Sequence, residues 1–131
     1  MTATTPTSGT VTFLFTDIEG STRLEQQVGT DRYAALRERH REILREAFLV
    51  HGGAEQSTEG DSFFVVFGSA REAVAAAIEA QRALATEPWP DDAPVRVRMG
   101  LHSGEAGMAG GTLVGLDINR AARIAAVAYG G

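Results

Sequence analysis

"AEQSTEGDSFFVVF", residues 54–67, is the stretch on which the fold turns. Residues 63–67 are aromatic and β-branched, and the stretches on either side of Gly60-Asp61 read as two strands joined there, a hairpin. Helical patterns flank it on both sides. Upstream, roughly 22–50 is helical, with Leu36, His40, Ile43, Leu44, Ala47 and Phe48 on one face and "HGG" stopping it with glycine at the C-cap. A break at "VGTD" would let Thr30 or Asp31 cap a second segment. Downstream, Ser69 and Glu72 make a capping box that opens an Ala-rich helix running to about 86. Outside the helices lie two more strands. "TVTFLFT" (10–16) reads as buried, and "VRVRMGLHSG" (95–104) alternates Val95, Val97, Met99 and Leu101 with Arg96, Arg98, Gly100 and His102. The loop "EPWPDDAP" before the latter would tolerate no helix.

The order β-α-β-β-α-β spells a ferredoxin-like split βαβ arrangement, an α+β fold with helices packed on one face of an antiparallel sheet. A Gly-rich segment follows that could pair as a further short strand. Asp117 then caps a last helix, about 118–128, closed by Gly130-Gly131. Residues 1–9 read as a flexible lead-in and 10–131 as one domain, with further strands expected beyond the abrupt Gly-Gly end.

Hydrophobic content of 44% is ordinary for a globular protein, and no run approaches the length of a membrane span. The polar start "MTATTPTSGT" lacks the features of a signal peptide, so the expected location is cytoplasmic, with no membrane contact. With no cysteine, disulfides and thiolate metal sites are excluded. A net charge of −5 argues against a nucleic-acid partner. All 12 basic residues are arginine, which rules out a Walker phosphate loop, since that loop requires a lysine.

In the β-α-β-β-α-β topology the first and third strands are central. Asp17 ends the first and Asp61 starts the third, so both acids are expected side by side at one edge of the sheet. Two carboxylates without His or Cys are hard oxygen ligands suited to Mg²⁺ or Mn²⁺. The loop "DIEGST" adds glycine, hydroxyls and a helix N-terminus, which together favour phosphate. The plainer alternative is that Asp17 caps the helix and Asp61 is an ordinary turn residue. Arg98, on the strand face opposite the apolar one, either faces solvent or meets phosphate with its fork of donors. Asn119 and Arg123 share one face of the last helix, as a simple polar surface or as a pair for ribose and phosphate. "FTDIEGST" also resembles the strand end of haloacid dehalogenase-type phosphatases, but the second acid is Glu, the strand order differs and the lysine is missing.

Four stretches, "TFLFTDIEGSTRL", "EGDSFFVVF", "VRVRMGLHSGE" and "VGLDINRAARI", resemble the class III adenylyl and guanylyl cyclase catalytic domain in order and spacing, most closely the short bacterial branch typical of actinobacteria. The resemblance covers about residues 10–131. It implies two Mg²⁺ or Mn²⁺ ions per site held by Asp17, Asp61 and the Ile18 carbonyl. Phosphate would be bound by Gly20, Ser21, Thr22 and Arg98. Asn119 at the ribose and Arg123 at the α-phosphate would be the catalytic pair. It further implies a head-to-tail homodimer in which one chain supplies Asp17, Asp61 and Arg98 and the other Asn119 and Arg123. The implied reaction is conversion of ATP to cyclic AMP and pyrophosphate, with GTP as the alternative substrate and a non-catalytic nucleotide-binding or dimerising module as the alternative function.

Two positions depart from the family pattern. The base-selecting residue four before the second metal Asp, usually Lys or in guanylyl cyclases Glu, is Ser57. Its counterpart seven before the Asn, usually Asp, is Thr112. A hydroxyl both donates and accepts, so Ser57 and Thr112 could meet either purine edge, and weakened base selectivity is expected.

Overall fold

The computed structural model describes residues 10–105, together with the backbone of 107–109 and 112–114. Strand β1 (Thr10–Ile18) leads into two helices, α1 (Ser21–Val28) and α2 (Thr30–Val50). The hairpin β2 (Ala54–Glu59) and β3 (Ser62–Phe67) follows, then α3 (Ala70–Thr86) and β4 (Val97–Glu105). Two short strands, β5 (Gly107–Ala109) and β6 (Thr112–Val114), form a separate antiparallel pair. The main sheet is antiparallel throughout, in the order β2-β3-β1-β4, which puts β1 and β3 at its centre as the topology requires.

Three helices pack on one face of this sheet. Leu14 of β1, Phe63, Val65 and Phe67 of β3 and Val97 of β4 meet Leu36, Ile43, Leu44, Ala47 and Phe48 of α2 and the small residues Ala73, Ala76 and Ala80 of α3. Each large apolar side chain so buried contributes about 1.5–3 kcal/mol. The alanines let α3 lie close to the sheet. Gly53, just before β2, also sits under this layer, where a Cβ would come within 2.7 Å of the Phe67 ring. The opposite face carries a smaller apolar cluster, Val11, Phe13 and Val66, extended by Phe15 and Phe64, whose rings stack at 4.5 Å.

The helical stretch breaks where a break was anticipated, but the residue responsible is different. Gly29, with φ +89°, caps α2 with no side-chain cap bond, and Thr30 is already helical. Only glycine adopts that backbone without strain, so it takes the boundary from the residue after it. Ser69 does cap α3, accepting from the Glu72 amide at 3.2 Å. The fourth strand begins at Val97, two residues late. Val95 is buried but precedes the ladder, and Arg96 instead accepts the Glu19 amide with its carbonyl at 2.8 Å. The expected last helix, 118–128 with Asp117 as cap, lies outside the described residues. No helix among the described residues is long and apolar enough to cross a membrane.

Candidate active site

Alternation along β1 places Phe13, Phe15 and Asp17 on the face away from the helices, and Asp17 stands opposite Arg98 in the β1–β4 ladder. Arg98 grips it with both arms: Nε donates to Asp17 Oδ1 at 2.7 Å and Nη2 to Oδ2 at 2.8 Å. The two side chains are 28% and 25% exposed, so the pair is half-buried. The Asp17 carboxylate pushes the Arg98 guanidinium above its ordinary range by accepting these bonds.

Beyond Asp17 the chain turns sharply. Gly20, at φ +63° in the left-handed region, is the N-cap of α1 and makes no side-chain cap bond. Asp17 therefore does not cap this helix. Ile18, Gly20, Ser21, Thr22, Arg23 and Arg98 line a cavity of about 430 Å³, the size of a small-molecule site. It opens at the N-terminus of α1, where helix amides and dipole favour an anion.

Asp61 reaches the same edge from the neighbouring central strand. Its Oδ2 accepts the Ile18 backbone N–H at 2.7 Å, joining two residues 43 apart in sequence. Gly60, with φ +56°, makes the turn before it. From below, Arg41 of α2 donates through Nη2 to the Gly60 carbonyl, while its Nη1 is held by Glu38 Oε1 at 2.6 Å. Arg41 thus braces the turn that carries Asp61.

The expected pair of acids is accordingly at one edge, Asp17 in β1 and Asp61 in the turn that leads into the adjacent β3. Asp17, Asp61 and the Ile18 carbonyl are the oxygen donors that could hold a cation at this edge. Among the described residues no group of three or more His, Cys, Asp or Glu side chains converges to cage a cation. Two carboxylates without a full cage fit Mg²⁺ or Mn²⁺, which keep water and phosphate oxygens as their remaining ligands.

Ser57 lies on the same sheet face because of an irregularity in β2. The register runs Glu55↔Val65 and then Ser57↔Phe64, so Gln56 is an extra residue, a β-bulge. Without it, Gln56 would oppose Phe64 and Ser57 would turn toward the helices. With it, Ser57 joins the row Phe64, Phe15 and Gly100, one pleat from the Asp17–Arg98 pair. Thr112 is in β6, opposite Ala109, in the separate two-stranded sheet. Asn119 and Arg123 lie outside the described residues. Two residues escaped the sequence reading. Arg23 is signalled by its place in the first turn of α1, and Arg41 by nothing, since it looks like one of many charges on an exposed helix face.

The adenylate and guanylate cyclase catalytic domain profile matches residues 3–131. The chain belongs to that family. An uncharacterized protein of Mycobacterium tuberculosis is 39% identical over 128 residues, covering 96% of this chain and 42% of the relative. An adenylate cyclase of Lachancea kluyveri is 30% identical over 151 residues, covering 96% of this chain and 8% of the relative. The chain therefore spans less than half the length of these relatives. Among solved structures, an adenylate cyclase from Trypanosoma brucei in its monomeric state superposes with a TM-score of 0.84 at 26% identity, over 93% of this chain and 71% of that one. The α+β sheet-and-helix fold is that of cyclase catalytic domains.

Proposed function

We propose that this cyclase domain is an adenylate cyclase, converting ATP to 3′,5′-cyclic AMP and pyrophosphate at the interface of a head-to-tail homodimer. The observation that carries the proposal is the Ile18 N–H to Asp61 bond, which sets the second acid beside the first at the ends of adjacent strands. Asp17, Asp61 and the Ile18 carbonyl would hold two Mg²⁺ or Mn²⁺ ions, which when bound supply Lewis-acid polarisation of the α-phosphate and of the ribose 3′-hydroxyl. The chain's own groups do the rest. The α1 N-terminus at Gly20, Ser21 and Thr22, with Arg98, holds the phosphate chain in line for attack by the 3′-oxygen and departure of pyrophosphate. Asn119 of a second copy orients the ribose, and Arg123 of that copy stabilises charge developing on the α-phosphate. Ser57 and Thr112 offer hydroxyls to the base. Their donor-and-acceptor character makes discrimination between adenine and guanine weak, and GTP is the second substrate to test.

A non-catalytic nucleotide-binding module is the rival reading, favoured by the arginine that occupies both oxygens of Asp17. The deciding experiment is cyclic nucleotide production by the purified chain with Mn²⁺ and either ATP or GTP, at several protein concentrations, beside Asp17→Ala. Cyclic AMP that rises faster than linearly with protein and vanishes in the variant supports the dimeric enzyme. A folded, dimeric chain that makes no product from either nucleotide overturns it.

A further inference from the structure

Arg98 stands in two places at once. It lines the cavity proposed for phosphate, and the Nε–Nη2 edge of its guanidinium donates to Asp17, the first proposed cation ligand. The arrangement is fixed by backbone register, since Asp17 and Arg98 are direct neighbours across the β1–β4 ladder. It is also half-shielded from water, where an ion pair holds better than on an open surface. A cation arriving alone would meet a carboxylate already neutralised on both oxygens by a guanidinium. A triphosphate arriving alone would meet an arginine whose fork is turned toward an acid. The planar fork suits carboxylate and phosphate oxygens equally, so one partner can replace the other with little movement of the side chain.

We propose that Arg98 is an exchangeable counter-ion that gates the cation site: it covers Asp17 in the nucleotide-free chain and uncovers it by moving to phosphate. This rests on the cyclase reading and deepens it. Cation and nucleotide then bind with positive coupling. By thermodynamic reciprocity each raises the other's affinity by the same factor, typically about 5- to 150-fold. The direction of the effect is unusual for an arginine: removing it should tighten the metal and loosen the nucleotide.

The test is Mn²⁺ binding without nucleotide, read by electron paramagnetic resonance, on the full chain, on Arg98→Gln and on Arg98→Gln with Asp17→Asn. The single variant is expected to bind Mn²⁺ about tenfold more tightly than the unaltered chain, within the usual range of coupling, and the double variant to lose that gain. Equal Mn²⁺ affinity in the unaltered chain and Arg98→Gln, or a gain that survives in the double variant, overturns the gate. A second measurement needs no variant. In the unaltered chain with chelator present, the Arg98 Nε–H resonance is followed as ATP is added. Movement of that resonance together with the Ser21 and Thr22 amides is expected. Amides that move while Arg98 stays fixed overturn the gate but leave nucleotide binding intact. No movement anywhere, either with chelator or with Mg²⁺ in its place, overturns the cyclase reading and the gate with it.

Discussion

Replacing Asp61 separates two roles that the structure gives one side chain. Its Oδ2 accepts the Ile18 amide at 2.7 Å, and Ile18 itself is 2% exposed, so water cannot readily replace the acceptor. Asp61→Ala leaves that N–H without a partner, at a cost of about 1–3 kcal/mol. Asp61→Asn keeps an oxygen in place and exchanges a charge-assisted bond for a neutral one, a loss of about 1 kcal/mol. Both remove the charge that a divalent cation would need. If that cation supplies about 3 kcal/mol of transition-state stabilisation, cyclic nucleotide production falls about 100-fold in either variant. Urea unfolding followed by circular dichroism, beside the Mn²⁺-supported assay, reads the two quantities separately. The expected pattern is equal loss of activity with unequal loss of stability, alanine being the weaker fold. Full activity in a folded Asp61→Asn protein would refute the metal role of this acid. Equal stability of Asp61→Ala and the unaltered chain would refute the structural one.

Arg41→Gln should loosen the Gly60-Asp61 turn, raising the Mn²⁺ concentration needed for half-maximal activity about tenfold, as loss of a residue supporting a metal ligand commonly does. The rate at saturating metal should change little, Arg41→Lys should recover part of the loss, and an unchanged metal requirement would count against the brace. His40 is fully buried, with Nδ1–H donating to the Arg37 carbonyl at 2.8 Å and Nε2 without a partner among the described residues. Burial lowers its pKa below the ordinary 6.5, so the unfolded chain takes the proton first. Its contribution to stability is complete above pH 6.5 and is lost as pH falls through the lowered folded value. Urea midpoints measured from pH 7.5 downward should fall less steeply in His40→Leu, and parallel curves would exclude His40 as the cause. Gly53→Ala drives a methyl to within 2.7 Å of the Phe67 ring and 3.0 Å of Val65 Cγ1, and overpacking of this kind costs about 1–3 kcal/mol in the same unfolding assay. A variant as stable as the parent would show that the Phe67 ring can yield.

Much of the fold could be read from the chain because its signals are local. The aromatic run after Gly60-Asp61, the one-sided apolar face of α2 and the Ser69 cap each depend on neighbours a few residues away. Once the element order was known, topology alone brought Asp17 and Asp61 to one edge, because in this arrangement β1 and β3 have no alternative but the centre. What could not be read depends on register. Alternation placed Arg98 on the face away from the helices, yet only the pairing of Asp17 with Arg98 decides that its fork meets that acid. The bulge at Gln56 has no glycine or proline within β2 to announce it, although it determines which of two adjacent side chains faces the site.

The same distinction bears on how this domain could change its substrate. The acids and the α1 N-terminus are set by the two central strands, hydrogen-bonded on both sides, where a one-residue slip would turn the core side chains outward, and Arg98, on the edge strand β4, is set by its register against β1. Ser57 is on β2, an edge strand of the main sheet, just past a bulge. An edge strand can gain or lose a residue at a bulge while its partner's ladder stays intact. Deleting Gln56 would restore one-for-one pairing, with Ser57 still opposite Phe64 and Ala54 and Glu55 still opposite Val66 and Val65. The proposed base-selecting residue Ser57 thus sits on a part of the sheet that tolerates change at little cost, and the proposed cation ligands at the ends of the central strands, which tolerate it least.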